Sequence, residues 1–319
     1  MVSSTSTYRH NLRYFNSHLE TIIPALLRNV KGVNYSRERI TTPDDDFLDL
    51  DCIKNNNNKV VIISHGLEGS SDRPYMKGMA KIFSHNGFDV IAWNFRGCSD
   101  EMNKQIRFYH SGATDDLQVV IDHAKSNYEE INLVGFSLGG NLTLKYLGEA
   151  DKNVTGWINR AAVFSVPMHL HTSCLKISEW YNYPYSKRFL NHLKNKVIIK
   201  ASSMPDKINL NGIHNINNLL DFDNQYTAPI HGFENAIDYY NKCSAINFLE
   251  NITTSTLIVN AQNDSFLSDE CYPYCQLKNH ESIIFETPER GGHCGFPGSD
   301  KDGFYWSEKR AMQFISTGN

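Results

Sequence analysis

Ser137 stands at the centre of Gly135-Phe136-Ser137-Leu138-Gly139, with Gly140 directly behind. Before it, Ile131-Asn132-Leu133-Val134 is a short apolar run that reads as a buried strand. After it, Asn141-Leu142-Thr143-Leu144-Lys145-Tyr146-Leu147 repeats apolar residues at helical spacing. A serine between such a strand and helix sits on a turn too sharp for bulky side chains two positions to either side. Gly135 and Gly139 occupy those positions. The turn presents the hydroxyl as a nucleophile, and the free N–H groups of the following helix favour negative charge beside it.

A serine hydroxyl barely ionises at neutral pH, so it needs a base within hydrogen-bond reach and an acid to orient that base. Asp264 directly follows the apolar run Leu257-Ile258-Val259-Asn260-Ala261. His293 lies in Gly291-Gly292-His293-Cys294-Gly295-Phe296, beyond the next strand. A loop aspartate or histidine alone is more often a cap or a solvated turn residue. Placed after successive strands in the order Ser, Asp, His, the two read as acid and base. Asp269 is a rival acid, though it reads better as a cap of the helix that follows. A tetrahedral intermediate also needs two preorganised donors. The N–H of Leu138, next to the nucleophile, is one candidate. The loop His65-Gly66-Leu67, after the strand Val60-Val61-Ile62-Ile63, supplies the other through the N–H of Leu67.

Other groups carry less. His110 and Asp115 stand in an H-x4-D spacing that some acyltransferases use, but two residue types recur easily by chance, and Asp115 reads as a helix-start charge. Arg96 reads as the partner of Asp115, Asp116 or another carboxylate. Cys271 and Cys275 lie four apart without a second pair at zinc-site spacing. No metal and no cofactor is expected.

These groups need a scaffold. At 319 residues, with 40% apolar and 21% charged side chains, the chain has the make-up of a globular protein with one large or two ordinary domains. A net charge of -4 gives no sign of a general attraction to nucleic acid or anionic membranes. No apolar run has the length of a membrane span, and Tyr8, Arg9, His10, Asn11 and Arg13 stand where an export signal needs its apolar core. The stretch Leu19–Leu27, interrupted by Glu20 and Pro24, reads better as packed onto the domain than as lying against a membrane surface, and peripheral membrane contact by this arm stays open. Seven cysteines without regular spacing argue against a disulfide framework and for a reducing cytoplasm.

Strands alternate with helices from Val60 onward: a helix over Pro74–His85, a strand over Phe88–Phe95, a helix opened by Thr114, then the Ser137 unit and the strand Ala161–Val166. Ahead of them, Arg39–Thr42 and Phe47–Ile53 alternate apolar and polar residues, as half-solvated antiparallel strands do. The rhythm predicts a mainly parallel central sheet with helices on both faces. It fails after Pro167 and resumes near residue 252, with a helix near 269–278, the strand Ser282–Phe285 and a closing helix over 305–316. So long a break reads as an inserted helical cap. The expected division is 1–167 and 252–319 as core, with 168–251 as cap. The cap is rich in aromatics, and Tyr226 and Phe233 are its candidate substrate contacts.

With these residues in place the chain resembles the α/β-hydrolases, and more narrowly the YheT-like hydrolases, also called the AB hydrolase 4 family. The stretches that carry the resemblance are Asn16–Pro24, Phe47–Asp51, His65–Ser71, Asn94–Ser99, Tyr109–Gly112, Gly135–Asn141, Asp221–Asp223 with Tyr226–Pro229, Gly232–Phe233 and Gly291–Phe296. The resemblance implies an α/β-hydrolase fold and a serine carboxylester hydrolase with Ser137, Asp264 and His293 as triad. Eukaryotic relatives usually carry a membrane anchor, which this sequence lacks, so it is similar to the soluble bacterial type. The implied partner is a small-molecule acyl ester or lipid-like substrate. Simple esters, acylglycerols and phospholipids all stay open, as do acyl transfer on the same triad, a binding protein that keeps only the fold, and the oligomeric state.

Overall fold

A computed structural model describes residues 6–11, 14–149, 155–298 and 301–319; Arg13, named above, lies outside them. Helix α1 (Ser17–Leu27) precedes strands β1 (Ser36–Thr41), β2 (Phe47–Ile53) and β3 (Lys59–Ser64). Then come α2 (Pro74–His85), β4 (Asp89–Asn94), α3 (Thr114–Lys125), β5 (Glu130–Phe136), α4 (Leu138–Glu149) and β6 (Ile158–Phe164). The sheet order is β1-β2-β4-β3-β5-β6-β7-β8, with β7 at Ser255–Val259 and β8 at Ile283–Glu286. The β1–β2 and β2–β4 pairs are antiparallel and all others parallel. The sheet is mainly parallel and covered by helices on both faces, as the strand–helix rhythm predicts.

Alternation along each strand divides the core between the two faces. Val60 and Ile62 point to the side covered by Leu117, Val120 and Ile121 of α3. Val61 and Ile63 point to the opposite side, against Met76, Met79 and Phe83 of α2 and Phe314 of α8 (Trp306–Thr317). Because β3, β5, β6, β7 and β8 run parallel, the loops that leave their carboxyl ends gather along one edge of the sheet.

Two local readings need correction. Strand β2 is buried on both faces, not half-solvated. Asp49 and Asp51 face Arg39 and Arg37 of β1 in register, with oxygens 2.7–3.0 Å from the guanidinium nitrogens. A buried carboxylate is tolerated when it is paired and hydrogen-bonded, and β1 supplies the pairing. The helix expected near 269–278 is instead a 3-10 turn, Asp269–Cys271, and a four-residue helix, Tyr274–Leu277. Pro273 between them lacks an N–H and disfavours a helical conformation at Tyr272. Asp269 lies in the first turn rather than capping it; Ser268 is the cap residue.

Between β6 and β7 the described residues are helical or irregular. They include α5 (Leu170–Ile177), α6 (Tyr183–Ser203) and α7 (Ala236–Cys243). These elements share an apolar cluster of their own, built on Leu170, Leu190, Val197, Phe222 and Tyr240, which reaches the sheet side through Phe266. Among the described residues no helix is long and apolar enough to cross a membrane.

Candidate active site

Strand β5 ends at Phe136 and α4 begins at Leu138, so Ser137 alone makes the turn, with φ at +52°. A Cβ on Gly135 would lie 2.6 Å from the Gly139 carbonyl oxygen, and one on Gly139 2.5 Å from the carbonyl oxygens of Ser64 and His65. Both positions therefore exclude side chains. The Ser137 N–H donates to Phe164 O at 2.9 Å, which ties the strained residue to the end of β6.

The structure brings the three distant side chains together. The Ser137 hydroxyl lies 2.9 Å from His293 Nε2, and His293 Nδ1 lies 2.8 Å from Asp264 Oδ2. A carboxylate only accepts, so Nδ1 carries the proton and Nε2 is left to accept from the serine. The Asp264 carboxylate also accepts the N–H of Phe266 at 3.0 Å, and the Phe266 ring lies 4.3 Å from the imidazole. Burial works against the imidazolium, but the charge of Asp264, and then Cys294, holds the His293 pKa above the ordinary histidine value.

The loop carrying His293 is braced from both sides by residues the sequence reading did not single out. Thr21 Oγ1 of α1 accepts the His293 N–H at 2.9 Å, and Ser165 Oγ accepts the Cys294 N–H at 2.8 Å. Glu20, fully buried, accepts from Asn263 Nδ2 at 2.6 Å and from the Gly291 N–H at 3.3 Å. Asn263 Oδ1 in turn accepts the Gly292 N–H. Glu20 thus ties the aspartate loop to the histidine loop. For Glu20 and Thr21 the sequence signal was the resemblance across Asn16–Pro24; Ser165 and Asn263 carried none. Among the described residues seven non-glycine residues have positive φ, and Glu68, Ser137, Ser165, Cys294 and Phe296 are five of them. Strain of this kind persists where the surroundings over-determine it, and it clusters at functional sites.

The oxyanion candidates fall beside the serine. A Cβ on Gly66 would touch Ser137 Cβ at 3.2 Å, so this loop packs directly against the serine. The Gly66 N–H donates to the Tyr75 hydroxyl and the Glu68 N–H to the Tyr109 hydroxyl. The Leu67 N–H between them has no acceptor among the described residues. Leu138 opens α4, so its N–H belongs to the unsatisfied first turn. His65 fixes the loop from below. Its Nε2 accepts the Phe95 N–H at 3.1 Å, so Nδ1 carries the proton and donates to Gly66 O at 2.7 Å. Full burial lowers its pKa to about 3, which keeps the ring neutral.

Tyr226 and Phe233 are not brought to Ser137. Tyr226 is buried within the cap, and its hydroxyl donates to Asn209 O. Phe233 packs on Tyr239 and His110. The cap wall beside the serine is built from Leu170, Ile177, Phe189 and Leu193 instead. Tyr226 lies in a π-helical turn, Asp223–Thr227, and Phe233 in the loop ahead of α7, and which aromatic of such irregular segments meets the core is set by tertiary packing. His110 borders the same cavity, while Asp115 pairs with Arg107, so the H-x4-D pair does not act together. Arg96 is saturated by Asp116, Asp44 and Asp46. Helix α1 packs on the core as expected, with Glu20, Thr21 and Pro24 inward and Leu26 and Leu27 exposed.

Residues 59–299 match the family model described as alpha/beta hydrolase fold. The chain is 31% identical to the Escherichia coli K12 protein named "Putative esterase YheT", over 99% of this chain and 94% of that one. It is 28% identical to the Saccharomyces cerevisiae medium-chain fatty acid ethyl ester synthase/esterase 2, over 81% of this chain and 62% of the relative. Among solved structures an esterase of Pyrococcus furiosus superposes with a TM-score of 0.60 at 16% identity, over 91% of this chain and 95% of that one. At that identity the superposition speaks for the fold alone. The chain belongs to the α/β-hydrolases and, within them, to the YheT-like, or AB hydrolase 4, family.

Proposed function

We propose that this protein is a serine carboxylester hydrolase. The observation that carries the reading is the unbroken chain from Ser137 through His293 to Asp264, with both hydrogen bonds at 2.8–2.9 Å and the serine on a strained turn. The names of the relatives, esterases among them, support the same class.

Ser137 Oγ attacks the ester carbonyl carbon while its proton passes to His293 Nε2. The Leu67 and Leu138 N–H groups hold the oxyanion, and Asp264 stabilises the imidazolium. Collapse breaks the carbon–oxygen bond to the alcohol, which takes the proton from His293 and leaves. A water molecule then gives its proton to His293 and attacks the acyl-enzyme. The second collapse releases the carboxylic acid and returns the proton to Ser137 Oγ. Each proton transfer runs through His293, and water is the co-reactant that supplies the proton and oxygen kept by the products. Residues 168–251 act in this reading as a cap that shapes the acyl site, with 1–167 and 252–319 as core. The seven free cysteines fit a reducing, cytoplasmic setting.

A second reading, acyl transfer to an alcohol in place of water, is favoured by the name of the yeast relative, which is both ester synthase and esterase. Fluorophosphonate labelling followed by a panel of p-nitrophenyl esters, run with and without ethanol, tests both. Labelling confined to Ser137 with release of free acid is expected. Folded protein that neither labels nor hydrolyses any ester would defeat the proposal. Ethyl ester accumulating faster than free acid would favour transfer.

A further inference from the structure

Two cavities open on the same catalytic atoms. One, of about 180 Å³, is walled by α1, the loop Gly66–Gly69, the first turns of α6 and Tyr305 with Glu308. The other, of about 140 Å³, runs under the cap between Leu170, Ile177, Leu193, Leu219 and Phe266. Ser137 and His293 border both. An ester whose carbonyl sits at Ser137 therefore sends its acyl and alcohol halves into different cavities.

Their charges are opposite. The smaller cavity has no lysine or arginine in its wall and carries the carboxyl of Asp223, held by the Thr227 and Tyr240 hydroxyls at 2.5 and 2.6 Å. The larger is bordered by Arg28, Arg73 and Arg188. Its two carboxylates are already engaged: Glu308 by Arg28, and Glu68 by Lys196 and the Tyr109 hydroxyl. Arg73 donates one nitrogen to the Glu68 carbonyl at 2.9 Å. Neither Arg73 nor Arg188 has a carboxylate partner among the described residues, whereas Arg28, the third arginine of this wall, has Glu308. Arg160 and Arg290, which also lack a carboxylate, lie outside this cavity and donate to backbone carbonyls. In a chain of net charge -4, two guanidinium groups without a carboxylate border one of the two cavities that meet at the nucleophile. The guanidinium fork matches phosphate and carboxylate oxygens.

We propose that the larger cavity is a leaving-group site for an alcohol that bears an anionic group, held by Arg73 and Arg188, with the acyl chain in the smaller cavity. The assignment rests on the ester-hydrolase reading and narrows it to esters with an anionic alcohol half. Asp223 repels such a group from the acyl side, so the bound ester has one orientation.

The test uses matched octanoyl esters of glycerol, glycerol 3-phosphate, glycolate and choline. The expected order of kcat/KM places the two anionic alcohols at least roughly 10-fold above glycerol and choline last, as one charged hydrogen bond allows. The phosphate and carboxylate arms separate the two sources of negative charge. Arg188→Gln and Arg73→Gln should each compress the anionic-to-neutral ratio by roughly 10–100-fold, mainly through KM, while Arg188→Lys keeps most of it. Arg188 is exposed, so its variants test the charge without a demand on folding. Calorimetric binding of octyl phosphate against octyl glucoside gives a readout that needs no turnover. Equal kcat/KM for anionic and neutral esters overturns the site and leaves the hydrolase reading standing. Octyl phosphate binding that Arg188→Gln abolishes, in a protein that cleaves no ester, supports the anion site and overturns the hydrolase reading. Octyl phosphate binding no tighter than octyl glucoside overturns the site.

Discussion

Ser137 is held by a left-handed backbone, a bond to Phe164 O and two flanking glycines that admit no side chain. Ser137→Ala changes none of these constraints, so it should fold normally and lose the hydroxyl alone. Turnover should fall by on the order of 10⁶, as when the nucleophile of a comparable triad is removed. Fluorophosphonate labelling that survives in the folded variant would show that another residue is acylated. His293 must be neutral at Nε2 to take the serine proton, and its pKa is raised. The kcat/KM for a neutral ester should therefore climb with pH, with a midpoint above about 6.5, the ordinary histidine value. Asp264→Asn removes the largest raising charge and leaves burial, which acts downward. The midpoint should move to lower pH while the plateau drops by roughly 10⁴. A pH–rate profile with the same midpoint in both proteins would mean that His293 is not the titrating base.

Helix α1 is the element whose role the sequence shows least. Its Thr21 reaches the backbone beside the imidazole, and its Glu20 joins the two loops that carry Asp264 and His293. The packing is close: a Cβ on Gly292 would fall 2.8 Å from both Glu20 Cβ and Thr21 Oγ1. Thr21→Val keeps the shape and deletes the acceptor. It should lower kcat by roughly 10-fold, since a misplacement of about 1 Å can cost 10², and leave KM nearly unchanged. Thr21→Ser restores the acceptor and should restore the rate. A Thr21→Val enzyme with unchanged kcat and unchanged pH midpoint would reduce α1 to packing.

At the scale of the whole molecule, the cap and core meet around a divided cavity. Leu193 of α6 is half-buried on the wall of the smaller part. Leu193→Trp should shorten that part, lowering kcat/KM for octanoyl esters by roughly 10–200-fold relative to acetyl esters. Equal losses on all chain lengths would place Leu193 in the catalytic geometry. Tyr226→Ala, deep in the cap core, should instead cost stability, about 3–5 kcal/mol by analogy with buried aromatic truncations, read from the unfolding midpoint.

Sequence and tertiary structure divide this protein along a physical line. The strand–serine–helix unit, the parallel sheet, and the aspartate and histidine after successive strands were all legible, because each rests on local periodicity, turn sterics and strand order. The approximate extent of α2, about Pro74 to His85, came from the same local rules and agrees with the helix observed. What local rules could not reach is side-chain meeting across long separations. Arg37 and Arg39 bury Asp49 and Asp51 only once β1 is paired in register. Tyr226 and Phe233 pack within the cap and not beside Ser137, because the path of the irregular segments that carry them is set by tertiary contacts, with the Asn209 carbonyl for one and Tyr239 for the other. Glu20 and Thr21 acquire their task when residues some 270 positions apart are folded together, Thr21 against His293 and Glu20 against Gly291. The opposite charges of the two cavities arise in the same way, since Arg73, Arg188 and Asp223 share walls that no stretch of sequence contains.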